Sequence, residues 1–132
     1  MRKAILIVLL TSGCSIMGNS HPPDWPEHVT IVHKFDKVGD MVEQCEKWGI
    51  DATGYPVLKM IYACARFQFC TKPPNCQIAI PTEDALAKDW VYKHELKHCE
   101  GYDHVGSSSF RDAWERYKAN PELYCATEPD EK

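Results

Sequence analysis

Although the chain holds seven cysteines in 132 residues, it contains no C-x-x-C pair. Thiolates at that spacing are the usual scaffold of cysteine-bound zinc and of redox-active dithiols, so these cysteines point elsewhere. No apolar run is long enough to cross a bilayer: residues 4–10 fall far short of the roughly 20 that a spanning helix needs. Surplus positive charge is also missing, since the formal net charge is −4, and a phosphate backbone would be repelled. That excludes nucleic acid as the expected partner. Internal repeats and low-complexity runs are absent, which excludes solenoids. Finally, no methionine follows Met60.

What is present suits one folded domain, with 44% hydrophobic and 26% charged residues. Arg2 and Lys3 precede the short apolar run, and together they read as an export signal. Thr11-Ser12-Gly13-Cys14 follows at once and resembles the bacterial lipobox, in which small residues precede a cysteine that is acylated and becomes the mature N-terminus. Thr11 stands where that family usually has leucine, and Leu10 lies one place further back. The resemblance implies a lipid on Cys14 and anchorage to a membrane of the cell envelope. Ser15, not aspartate, follows the cysteine, which by the same resemblance favours an outer membrane facing the periplasm. The alternative is an ordinary secretory signal cut after Gly18 or Ser20. Residues 1–13 are therefore expected as a signal peptide, 14–26, with its glycine and prolines, as an extended tether, and 27–132 as the domain. With Cys14 assigned to a lipid, the remaining six cysteines make an even set for three disulfides in an oxidising compartment. Cys70 and Cys76 flank a turn containing Pro73 and Pro74, and a bridge between them is the expected local pairing.

Residues 29–33 alternate branched side chains as a strand does, and in 37–48 Val38, Met41, Val42, Cys45 and Trp48 recur at helical spacing. Gly49 and Gly54 bracket a turn. Residues 55–69 read as a strand or hairpin and 76–80 as a further strand ended by Pro81. A helix is expected over 83–100, with core contacts from Leu86, Trp90, Val91 and Tyr92 and a left-handed stop at Gly101. A last helix over 110–119 is expected to start from an N-cap at Ser109, to carry Phe110, Ala113, Trp114 and Tyr117 on one stripe, and to close at Asn120-Pro121.

The chemistry gathers at His94-Glu95-Leu96-Lys97-His98, an H-E-x-x-H pattern inside the expected helix. Four residues make slightly more than one turn, so both imidazoles leave one face and can share a cation. Glu95 lies about 100° round from His94, beside the cation and outside its ligand set, where it can act on water. Gly101 permits a sharp reversal that would bring His104 back as a third ligand; Asp103 or Glu115 are the other candidates for that place. Three protein ligands with an open fourth position are the mark of a catalytic zinc, whereas structural sites are normally closed by four. His21, His28 and His33 have no ligand spacing and are expected at the surface. No tyrosine among Tyr102, Tyr117 and Tyr124 is singled out by spacing as an oxyanion partner.

The full run H-E-x-x-H-x-x-G-x-x-H, residues 94–104, is similar to that of the metzincin metallopeptidases. The resemblance implies zinc held by His94, His98 and His104, with Glu95 as general base in peptide-bond hydrolysis. It covers eleven residues, and the chain departs from the family in having Met1, Met17, Met41 and Met60 all before the motif, with no methionine turn after it. The floor of such a site must be built differently here. The expected architecture is α+β: a small mixed or antiparallel sheet of three or four strands packed on an active-site helix, a disulfide-stabilised minimal zincin-like domain. The expected function is a membrane-tethered, zinc-dependent peptidase acting on peptides or proteins in the envelope; the alternative is an envelope lipoprotein that binds zinc without turnover.

Overall fold

The computed structural model describes residues 17–18, 20–50, 63–82 and 89–128. The signal peptide with Cys14, residues 55–62 of the expected hairpin and the expected helix start at 83–88 lie outside them. The described elements run β1 (Val29–Phe35), α1 (Val38–Lys47), β2 (Cys64–Gln68), β3 (Asn75–Pro81), α2 (Asp89–Cys99), α3 (Ser109–Ala119) and α4 (Pro121–Thr127). Among the described residues the fold is a small α+β unit with a three-stranded mixed sheet and four helices. Strand order is β1-β3-β2, with β3 parallel to β1 and antiparallel to β2. Among the described residues no helix is long and apolar enough to cross a membrane.

Because side chains alternate along a strand, β3 supplies residues to two layers. Ala79 pairs with Cys64 of β2 and faces α1, where Met41 and Cys45 are fully buried and Phe35, Val38, Val42 and Trp48 close round them. Cys76 and Ile78 face α2, where they meet Ala65, Cys99, Tyr92 and Leu96. The sheet is thus sandwiched, one helix on each face, and each helix is stapled to it: Cys45 with Cys64 joins α1 to β2, and Cys76 with Cys99 joins β3 to α2. The third bridge, Cys70 with Cys125, ties the β2–β3 loop to α4. The expected Cys70–Cys76 pairing is therefore wrong. Cys76 points inward from the strand and is fully buried against α2, so it is not available to a turn at the sheet's end.

Both helices that flank the sheet stop on glycine for the same reason. Gly49 adopts φ +80°, and Gly49 N–H donates to the Glu46 carbonyl while Ile50 N–H donates to that of Cys45, a Schellman closure. The last two helices differ from expectation at their junction. Asn120 does close α3, but its side-chain Oδ1 also accepts from Leu123 N–H at 3.1 Å, and Pro121 opens a further helix, α4. The expected boundary at Glu27 also moves. Trp25 packs edge-on against Phe67 and Phe69 and lies beside Trp114, while Asp24 accepts from the Trp114 indole at 3.0 Å. The packed body therefore begins before residue 27.

Candidate metal centre

The site is made by the way α2 ends. Gly101 takes φ +92°; its N–H donates to the His98 carbonyl at 3.0 Å and Tyr102 N–H to the Lys97 carbonyl at 3.1 Å, again a Schellman closure. This geometry requires glycine twice over. A side chain would be strained at that φ, and a Cβ would lie 2.7 Å from the Trp25 ring. The Trp25 indole N–H meanwhile donates to the Cys99 carbonyl at 2.8 Å, satisfying one of the groups a helix end leaves open.

The closure turns the Tyr102 carbonyl back onto the helix, where it accepts from His98 Nδ1 at 2.7 Å. That bond fixes the tautomer, leaving His98 Nε2 as a lone pair directed away from the helix. Two residues later His104 arrives from the loop, its Nε2 2.9 Å from His94 Nε2 and 3.1 Å from His98 Nε2. The three ligand nitrogens lie within 4.8 Å of one another, and the group can hold a metal ion. The donor set fits a cation on its own terms. With neutral rings at most one proton fits among three nitrogens so close, so at least two lone pairs point at one spot. Bonds of 2.0–2.1 Å at tetrahedral angles would separate ligand nitrogens by roughly 3.3 Å, a few tenths more than the two separations from His104.

Burial keeps the rings in the form that binds metal. His98 is pushed down to about 4 by desolvation, against the opposing pull of the Tyr102 carbonyl. His94 and His104 are lowered by desolvation as well, His94 further by its neighbour His104, while Asp103 pulls His104 the other way. Neutral imidazole is the ligand form, so protons compete weakly for this site. Glu95 lies outside the group, as expected from its place on the helix. It shares the buried stripe of α2 with Val91, His98 and Cys99, and burial pushes its carboxyl up to about 8.

The loop carrying His104 is held from two sides. Asp103 accepts from Phe110 N–H at 2.9 Å, Arg111 N–H at 3.2 Å and the Ser109 hydroxyl at 3.2 Å, so its carboxylate caps α3 from outside the helix. The expected cap, Ser109, is instead the first helical residue; the flanking position is Ser108, whose hydroxyl donates to Asp112. On the other side, Met17 pairs antiparallel with His104, and Gly18 N–H donates to the Asp103 carbonyl at 2.7 Å. Phe110 stacks on the His98 ring, centroids 4.9 Å apart and planes within 15°, giving the site an apolar wall where no methionine was available.

Neither alternative third ligand joins the group: Asp103 is engaged with α3, and Glu115 pairs with Lys118 at 3.0 Å. Trp90, expected in the core, is 60% exposed because it lies on the His94 side of α2, whereas Val91 is buried as expected. His21 is exposed, but His28 and His33 are half-buried, His33 bonding Gln77 at 3.0 Å. Sequence reasoning missed the parts played here by Tyr102, Asp103 and Phe110, which it had considered in other roles, and it missed Trp25 altogether. Only Asp103 left a signal, as an acidic residue shortly before a helix start. No protein family matches the chain, and no curated protein or solved structure matches it.

Proposed function

We propose that this chain is a small zinc-dependent peptidase of the cell envelope, held to a membrane by a lipid on Cys14. The observation that carries the reading is the convergence of three imidazole nitrogens, with no fourth protein ligand joining them among the described residues. Three ligands and an open position suit a catalytic metal, and an all-imidazole set in a chain whose described cysteines are bridged suits zinc. The H-E-x-x-H-x-x-G-x-x-H resemblance supplies the reaction class.

Zinc in this site would supply a Lewis acid that acidifies water and polarises a peptide carbonyl. The chain's own residues do the rest. His94, His98 and His104 hold the cation, and the Tyr102 carbonyl keeps His98 in register through Nδ1. Glu95, once ionised, takes a proton from the attacking water and delivers it to the leaving amine. Phe110, stacked on the His98 ring, gives the site an apolar wall.

The second reading is an envelope lipoprotein that binds zinc without turnover, and the depth of Glu95 in the buried stripe favours it, because a carboxyl held neutral is a poor base. One variant separates the two. Glu95→Ala should keep its zinc and lose cleavage of a mixed peptide library by roughly 10²–10⁴-fold. Cleavage equal to wild type would sink the mechanism, and zinc binding with no zinc-dependent cleavage in the wild type itself would leave the binding module.

A further inference from the structure

Met17, three residues after Cys14, is backbone-paired to His104. We infer that the metal-binding face lies against the bilayer surface, and that the polypeptide it acts on is the juxtamembrane part of a membrane-anchored protein. This rests on the proposed lipid at Cys14.

The first observation is the length of the leash. Whatever path Ser15 and Ile16 take, three residues span at most roughly 10–11 Å. Antiparallel partners lie about 4.5–5.5 Å apart between Cα atoms, so the His104 Cα is within roughly 16 Å of the acylated residue's. The headgroup region alone occupies roughly 5–7 Å on each side of the hydrocarbon. A tether free to residue 26 would have let the domain stand off by roughly 40 Å. The pairing removes that freedom and hangs the molecule by its metal-binding loop.

The second observation is independent of the leash. Five large apolar side chains are exposed among the described residues, and two of them border the histidines. Trp90, 60% exposed, lies four residues before His94 on the same face of α2, and Val105, 70% exposed, follows His104 directly. Exposed tryptophan with an apolar neighbour suits headgroup depth, where one end of the indole is dry and the other wet. A bilayer surface supplies the apolar cover that these two residues, one on each side of the histidines in sequence, lack in the isolated chain.

The test uses the full acylated chain in phosphatidylethanolamine and phosphatidylglycerol vesicles carrying bromine on the upper acyl chain. Tryptophan fluorescence should be quenched, most of the quenching should vanish in Trp90→Phe, and a flexible Gly/Ser spacer inserted between Ser15 and Ile16 should abolish it. The same spacer should lower cleavage of a vesicle-anchored peptide by roughly tenfold relative to a soluble one. An acylated protein without quenching at Trp90 overturns the inference and assigns the face to another occupant, a second copy or an apolar peptide. Quenching that survives the spacer overturns the leash. If mass spectrometry finds Cys14 unacylated, the lipoprotein reading and this inference fall together, while zinc content, measured on the same sample, reports on the metal centre separately.

Discussion

The two faces of the sheet are built alike and used differently. Each is covered by one helix, each helix is stapled to a strand by one disulfide, and each helix ends in the same glycine-dependent closure. On the α1 face the fully buried described residues are Met41, Cys45 and Ala79, none of them ionisable in the bridged chain. On the α2 face the same kind of stripe buries Glu95 and His98. Burying ionisable groups costs stability unless something compensates, so the difference marks the face where this fold gives up stability beside the three histidines that could hold a metal ion.

The largest effect expected separates the faces outright. His98→Ala should abolish metal binding, and with it the metal-dependent rise in unfolding free energy, about 2.7 kcal/mol at a free concentration 100 times Kd. Met41→Ala should cost about 2–5 kcal/mol in denaturant titration yet keep the wild-type metal stoichiometry. Metal binding that fails equally in both variants would show that the faces are not separable.

A pH series sharpens the contrast. In the metal-free protein Glu95 is raised from an ordinary value near 4.5 to about 8, so the folded state holds its proton more tightly, and stability falls as pH rises through that window. His98 is depressed from 6.5 to about 4, so its contribution is present above 6.5 and lost as pH falls towards 4. The two slopes oppose each other between 4.5 and 6.5. Glu95→Gln should therefore leave acid stability nearly unchanged and raise stability at pH 8 and above by an amount on the order of a few kcal/mol. Urea midpoints across pH check it, and a variant no more stable than wild type at pH 9 would contradict the burial account.

Removing either helix staple should destabilise by about 3 kcal/mol, because the sequence separations of 19 and 23 close loops of similar entropy. Only the Cys76→Ser/Cys99→Ser pair should also weaken metal binding, since Cys99 fixes the end of α2 from which the loop departs. The smallest change expected is Asp103→Ala. Loss of the α3 cap should cost about 1 kcal/mol, and metal affinity should fall by roughly tenfold as His104 loses its anchor, read by competition with a chelator.

Much of this was legible in the sequence because it is local. Period-two branching in β1, period-3.6 spacing in α1 and the glycine after α2 each act within a few residues, and the histidine spacing did bring His94, His98 and His104 together. What escaped depends on distant partners. Trp25 meets the Cys99 carbonyl across 74 residues, and nothing near residue 25 announces it. Asp103 was hidden by Ser107-Ser108-Ser109, three residues with cap chemistry beside the true cap. Trp90 was misplaced because an aromatic at helical spacing reads as core whether it faces sheet or solvent.

The disulfide connectivity has a consequence for how the chain is made. Cys45 and Cys64 are consecutive, but the bridge from Cys70 to Cys125 encloses the one from Cys76 to Cys99. As the chain emerges from its N-terminus, Cys70 lies as close in sequence to Cys64 as to Cys76, so neighbour pairings are the entropically cheapest to make, among them the one between Cys70 and Cys76. The native order requires both to wait for partners that arrive later, Cys99 for one and Cys125, nearly at the C-terminus, for the other. His94, His98 and His104 all lie inside that outermost loop, so an early neighbour pairing would have to be undone by thiol–disulfide exchange before the histidines can be held in place.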